Sequence, residues 1–100
     1  MKGDFAGGLR ERVTLLRRGP ERDALGGAVG DWESLRTAWA AVVPIGRREI
    51  PRWRVMLRSN GAIPEVGDRL EWGTRTLRVV AVGIDPTVSE RWIADTEEER

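Results

Sequence analysis

The sequence has 100 residues, of which 40% are hydrophobic and 33% charged, and this length suits a single small domain with one core. Cysteine and histidine are both absent, which excludes disulfides, thiolate nucleophiles, the commonest zinc ligands and the usual neutral-pH general base. No apolar run approaches the roughly 20 residues that span a bilayer, so we expect no membrane partner and no signal peptide. We therefore predict no enzyme, with no catalytic residue, no cofactor and no metal site.

The net charge of +1 hides an uneven distribution along the chain. Residues 1–58 contain twelve Lys or Arg and seven Asp or Glu, a net of +5, whereas residues 59–100 contain five and nine, a net of −4. A basic end and an acidic end suit head-to-tail stacking on copies of the chain or on unlike partners. The alternative is that the two halves simply present differently charged, solvated faces.

The first thirty residues combine one short strand with two Gly-rich segments. Residues 1–8 are polar and Gly-rich, and we predict a loose N-terminal arm with Phe5 as its one anchor. Residues 12–16 alternate between apolar and polar side chains, which predicts a strand. Residues 19–31 contain four Gly, one Pro and several charges, which predicts a long flexible excursion. A loop of this length in so small a domain tends to be functional or disordered.

A second strand is predicted at residues 32–44. Trp39, Ala41 and Val43 share one of its faces at period two, and the opposite face is apolar as well. We therefore expect this strand to lie in the middle of the protein, with other strands packed against it. Pro44 cannot donate a backbone hydrogen bond, so it marks the point where the strand leaves the sheet.

The third strand, residues 52–58, shows the clearest alternation in the chain. Trp53, Val55 and Leu57 fall on one face, and arginines dominate the other. This pattern is typical of a strand with one buried and one solvated face. We predict that the Trp53 face points inward.

Three more strands are predicted in the second half of the chain. Residues 66–72 and 75–84 form a hairpin around a two-residue turn with Gly73 at its first central position, as in a type II′ turn. Residues 90–95 form the last strand, and residues 96–100 are predicted to be a frayed acidic tail.

Six short strands at intervals of about ten residues, with no convincing helix, predict an all-β fold. We expect one small β-barrel or sandwich domain with long loops, spanning residues 1–100. A barrel would also hide the edges of these Val- and Trp-rich strands. The predicted core consists of Val13, Leu15, Trp39, Val43, Trp53, Val55, Leu57, Leu70, Trp72, Val79 and Val82.

The five tryptophans and the arginines allow two interpretations each. The tryptophans could form a stacking platform for single-stranded nucleic acid, or they could fill the core, in which case replacing Trp39 with Ala would cost roughly 3–5 kcal/mol. The arginines could contact phosphates or partners, or they could be solvated and paired with acids on neighbouring strands. The candidate basic strand face is Arg52, Arg54 and Arg58. The candidate lumen or partner loops contain Arg18, Glu21, Arg22, Asp23 and Leu25 in the excursion, and Arg47, Arg48 and Glu49 after the second strand.

A set of segments spans nearly the whole chain in a distinctive order: residues 6–15, the Gly-rich loop ending at residues 31–33, residues 37–49, 53–58, 67–70 and 73–82, and the pair Arg91 and Trp92. This ordered set resembles a known family, the phage head–tail joining (head-completion, or stopper) proteins, which also occur in prophages and gene transfer agents. One departure from the family is that the segment after Glu49 is shorter than in relatives. If that segment helps to close the channel in relatives, the excursion at residues 19–31 is the obvious substitute for it here.

This resemblance implies a small β-barrel that assembles with copies of itself as a ring, a hexamer or dodecamer, beneath the portal and its adaptor. Such a ring retains packaged double-stranded DNA without sequence specificity, and it docks a tail-terminator or tail protein. The protein would be made in the bacterial cytoplasm and located at the head–tail interface of a virion or gene transfer agent particle. The alternatives are a tail-terminator ring protein of the same particle and a free-standing barrel that binds single-stranded nucleic acid.

Overall fold

The fold consists of six antiparallel strands and, within the described residues, no helix. The computed structural model describes residues 9–46, 50–88 and 90–99. The predicted N-terminal arm at residues 1–8 lies outside the described residues. The strands are β1 (Glu11–Arg18), β2 (Trp32–Pro44), β3 (Arg52–Arg58), β4 (Arg69–Trp72), β5 (Arg75–Ile84) and β6 (Arg91–Glu99).

The strands close into a barrel in the order β1-β2-β3-β6-β5-β4, and β4 returns to pair with β1. The prediction of an all-β barrel or sandwich with about six strands is therefore confirmed, and of the two architectures the chain adopts the barrel. Register shifts between Leu15 and Leu16 and between Val79 and Ala81 bend the sheet, as closure requires. The turn between β4 and β5 carries the predicted glycine, because Gly73 has φ = 62° and no other residue type in the described chain has positive φ.

The barrel interior is filled mainly by aliphatic side chains. Trp53 and Trp72 are half-buried at the edge of this core, with ring centroids 4.9 Å apart in an edge-to-face arrangement. Their indole Nε1 atoms donate to Glu98 and Glu11, so each ring has an apolar body and a satisfied polar end. The buried aliphatic residues are Val13, Leu15, Val55, Leu57, Leu70, Leu77 and Val79, together with Ala40 and Ala94.

Three predicted core residues are not in the core. Trp39 is 53% exposed and Val43 39%, because the opposite face of β2, which carries Ala40, is the one that points inward. Val82 is 38% exposed although it lies on the same sheet face as buried Ala94. Its position explains this exposure, since β4 pairs with β5 only from Arg75 to Arg78 and leaves the far end of β5 uncovered.

The predicted acidic tail is wrong, because residues up to Glu99 belong to β6 and pair with β3 and β5. Arginines on β3, β4 and β5 neutralise these glutamates, and they come from both halves of the chain. The charge asymmetry along the sequence therefore does not produce an acidic pole at β6. The ion pairs are Arg52–Glu97 (2.7 Å), Arg78–Glu97 (3.0 Å), Arg75–Glu98 (3.0 Å) and Arg69–Glu99 (2.9 Å).

The turn between β5 and β6 is organised by the buried side chain of Asp85. Its Oδ1 atom accepts hydrogen bonds from the Thr87 hydroxyl at 2.7 Å and the Thr87 amide at 2.8 Å. These bonds favour the carboxylate and lower the pKa of Asp85 below its usual value. A carboxyl group with a lowered folded-state pKa stabilises the fold above its unfolded pKa and loses that contribution as the pH falls.

We predict that Asp85→Asn lowers the free energy of unfolding at neutral pH, because asparagine keeps an acceptor oxygen but removes the charge. The difference from the wild-type chain should shrink as the pH falls below about 4, the unfolded pKa of aspartate. Urea unfolding followed by Trp fluorescence between pH 7 and pH 3 measures it. A difference that stays constant over this range would contradict the prediction, and the exposed acid Glu90, changed to Gln, is the control.

Candidate interaction surfaces

The first candidate surface is a projecting hairpin at residues 19–31, which we call the Leu25 hairpin. Its base is closed by a bond from the Gly19 amide to the Asp31 carbonyl at 2.9 Å. Further along, the Val29 amide donates to the Glu21 carbonyl at 3.1 Å. The sequence predicted a flexible excursion here, but the chain instead forms a short backbone ladder that extends the β1–β2 pair.

Asp23 organises the tip of the Leu25 hairpin. Its carboxylate accepts bonds from the amides of Leu25 (3.0 Å) and Gly27 (2.6 Å), and Gly26 takes φ = 86°, a conformation that suits glycine. The Leu25 side chain is 96% exposed at this tip. A large apolar residue held outward on an ordered turn makes this tip a candidate interaction site.

Five of the predicted loop residues lie in the Leu25 hairpin or at its base. Two of them, Arg18 and Arg22, stabilise the hairpin by donating hydrogen bonds to its backbone carbonyls. Arg18 donates to the Gly30 carbonyl at 2.8 Å, and Arg22 donates to the carbonyls of Pro20 and Glu21. Arg18, Glu21, Arg22, Asp23 and Leu25 are all exposed. The other three predicted loop residues, Arg47, Arg48 and Glu49, lie outside the described residues.

The predicted basic strand face does not form one basic surface. Arg52 pairs with Glu97, and Arg54 forms a two-bond pair with Asp95 at 2.7 and 3.1 Å, which raises the pKa of Arg54. Arg58 is exposed and has no ion pair among the described residues. The alternative interpretation from sequence, cross-strand pairing with acids, therefore holds for two of the three arginines.

Arg58 instead borders the second candidate surface, a groove of about 400 Å³ that we call the Trp39 groove. It lies between the first half of β2 and the connection after β3. Trp39 is exposed within it, and the Arg12 guanidinium lies 4.8 Å from the Trp39 ring centroid. Arg10 lies beside the groove in a second depression that shares Trp39 and Arg58. The apolar lining is Leu9, Leu35, Ala38, Trp39 and Ala62, and the charged rim is Arg36 and Arg58.

Arg36 fixes the wall of the Trp39 groove. Its guanidinium donates to the carbonyls of Ala62 (3.1 Å) and Arg58 (3.0 Å) and to the Asn60 side chain (3.2 Å). Partial burial lowers the pKa of Arg36. Because these bonds hold residues 58–62 against β2, the groove is a preformed feature of the barrel.

Sequence reasoning missed the groove because its residues come from three separate segments: Leu9 before β1, residues 35–39 of β2, and residues 58–62 at the end of β3 and in the connection after it. Arg10, Arg12 and Arg36 showed no local pattern that distinguished them from other solvated arginines. One sequence feature did point toward the groove. Trp39 lies on a strand that is apolar on both faces, so the sequence left open whether its ring is buried in the core or exposed at a binding surface.

Within residues 9–46, 50–88 and 90–99, no three acidic side chains are grouped so that they could hold a metal ion. The same ranges contain no helix long and apolar enough to cross a membrane.

Comparison with known families decides the identity of the barrel. The family model of phage head completion proteins matches residues 6–98. The chain belongs to this family. The resemblance inferred from the order of sequence segments is thereby confirmed, and the head completion protein is a structural component of the phage virion. No curated protein matches the chain.

Two solved structures share the fold of this head completion protein. One is a chain in the virion of a native gene transfer agent particle, with 19% identity, a TM-score of 0.75 and coverage of 92% of this chain and 96% of that one. The other is the solution structure of protein SF1141 from Shigella flexneri 2a, with 23% identity, a TM-score of 0.68 and coverage of 92% and 94%.

Proposed function

We propose that this head completion protein is a stopper: a ring beneath the portal and its adaptor that retains packaged double-stranded DNA and docks the tail. The observation that carries the proposal is the family match over residues 6–98, on a closed barrel that projects one ordered arm, the Leu25 hairpin. In a cyclic ring of six or twelve copies, every arm and every surface is repeated around one axis.

Repetition around the axis also explains how a small barrel can hold DNA. Arg10, Arg12, Arg22 and Arg58 have no ion pair among the described residues. Each of these arginines that stays clear of the contacts between copies and faces the channel would be multiplied by the copy number. Contacts of guanidinium groups with phosphates need no base sequence, so many weak contacts would add to a non-specific hold.

The test is to add the purified chain to DNA-filled capsids that carry the portal and adaptor but lack this protein. We expect co-sedimentation of the chain with these capsids and a fall in nuclease-sensitive DNA. Capsids without the adaptor are the control and should bind little. If the chain instead captures tail-tube protein and ignores adaptor-bearing capsids, it is a tail terminator and the stopper role is wrong.

A second candidate function, binding of single-stranded nucleic acid, is favoured by the exposed Trp39 beside Arg12 and Arg58. Stacking of bases on an aromatic ring in a basic groove would quench Trp fluorescence and weaken steeply with salt. A titration with short oligonucleotides at low salt tests this function. The absence of quenching would dispose of it.

A further inference from the structure

We propose that the Leu25 hairpin of one copy inserts into the Trp39 groove of the next copy and so forms the contact that builds the ring. This inference rests on the proposed ring, and it names the two surfaces that meet. The contact would be heterologous, because a projecting arm meets a different surface, the groove, on its neighbour. Contacts of this kind generate closed rings when the rotation between copies closes.

The hairpin has the shape and charge of an inserting element. Leu25 is 96% exposed, and Val29, further along the hairpin, is 51% exposed, so two apolar side chains are available for burial. Backbone bonds within the hairpin order it before it binds, which lowers the entropic cost of docking. Its acidic residues, Glu21, Asp23 and Asp31, are exposed and form no ion pair among the described residues.

The groove has the complementary properties. Its lining is apolar, and its rim and surroundings carry arginines without an acidic residue among the groove's lining. Trp and Arg are the residue types most enriched at the energetic centres of protein interfaces. The hairpin carries three carboxylates and one arginine, Arg22, a net charge of −2. Its apolar tip and negative charge therefore fit a Trp-lined groove bordered by guanidinium groups.

The chain does not satisfy this complementarity within itself. The near-complete exposure of Leu25 shows that the hairpin tip does not occupy the groove of its own chain. The hairpin continues beyond the paired ends of β1 and β2 at Arg18 and Trp32, whereas the groove runs the other way, along residues 35–39 of β2 to Leu9. The groove is therefore open to the hairpin of a second copy.

Cysteine cross-linking tests the contact directly, because the natural chain has no cysteine and hence no background. The double variant Leu25→Cys with Ala62→Cys, bound to adaptor-bearing capsids and mildly oxidised, should give a reducible ladder of multimers on non-reducing gels. A mixture of the two single variants should stop at dimers, because each chain then carries only one reactive end. Leu25→Cys with Val66→Cys is the matched control, since Val66 is 64% exposed but lies outside the groove.

The outcomes separate this contact from the stopper role. If the double variant binds capsids and retains DNA but gives no more ladder than the control, the hairpin–groove contact is wrong and the stopper role stands. A ladder in concentrated solution without capsid binding would support the contact and refute the stopper. Dimers alone from the double variant would indicate a closed pair and overturn the ring contact.

A charged tip provides a second measurement that does not depend on disulfides. Leu25→Asp should reduce the amount of chain bound to adaptor-bearing capsids at least about 10-fold, as expected for the loss of one anchor residue. Its melting temperature should be unchanged, because the side chain is exposed. Val66→Asp is the control and should bind normally. Normal binding by Leu25→Asp would refute the contact.

Discussion

Leu57→Ala is expected to lower the free energy of unfolding by about 2–5 kcal/mol, the cost of truncating a buried leucine when the cavity cannot collapse. Leu57 is 1% exposed and lies between Ala40 of β2 and Trp92 of β6. Because the barrel is closed, its strands have little freedom to move into the space left by the missing side chain. Urea unfolding, followed by Trp fluorescence and far-UV circular dichroism, measures the loss.

The matched variant is Trp39→Ala, which removes a larger side chain from the neighbouring position on β2. Trp39 is 53% exposed, and its one ring partner among the described residues is Arg12, so we expect a loss of about 0.5–1 kcal/mol. Truncation of the leucine is therefore expected to destabilise the barrel more than truncation of the tryptophan, although the tryptophan side chain is larger. A cost for Trp39→Ala equal to that of Leu57→Ala would mean that β2 presents its other face to the core.

The strands themselves could be predicted from sequence because their periodicity is local. Residues 52–58 carry arginines on one face and apolar residues on the other, and burial of arginine is costly, so only one orientation is stable. The same argument places Leu15 and Leu70 inward. Six strands at regular spacing then leave a barrel or sandwich as the architectures that cover both edges.

The orientation of β2 could not be predicted in this way because both of its faces are apolar. The choice depends on a partner strand, since Ala40 lies opposite Leu57 across the β2–β3 ladder. A small residue opposite a large one fills a narrow barrel, whereas a tryptophan at the position of Ala40 would overfill it. This information is contained in the register of two strands and not in the alternation of either one.

The structure of the acidic end of the chain also depends on partner strands and could not be predicted from its own sequence. Three consecutive glutamates, at residues 97–99, repel one another when considered alone, and a frayed tail is the local expectation. In the barrel they face arginines from β3, β4 and β5. The two candidate surfaces differ in the same way. The Leu25 hairpin is one continuous segment and could be located as a loop from the sequence, whereas the Trp39 groove forms only when three separate segments come together.

The ion pair between Arg17 and Asp68 is the second place where a single substitution should have a large effect. Asp68 is 3% exposed, and its carboxylate accepts two bonds from Arg17, at 3.0 and 2.8 Å, and one from the Glu65 amide at 2.8 Å. Arg17 also donates to the Ile63 carbonyl at 2.8 Å. Together these bonds fasten the β3–β4 connection to the end of β1, and the bond to Asp68 raises the pKa of Arg17.

We expect Asp68→Ala to lower the free energy of unfolding by about 2–4 kcal/mol. This lies toward the lower end of the cost of breaking a buried ion pair, because the Arg17 side chain is 33% exposed and water can solvate it. Arg17→Ala should cost at least as much, because it leaves the buried Asp68 carboxylate without its counter-ion and with the Glu65 amide as its remaining side-chain partner. The double variant should be less destabilised than the sum of the two, by roughly 0.5–3 kcal/mol. Glu71→Ala, an exposed acid on β4, is the control and should stay within about 0.5 kcal/mol of the wild-type chain. Additive losses in the cycle, measured by urea unfolding, would show that the two side chains do not stabilise the barrel as a pair.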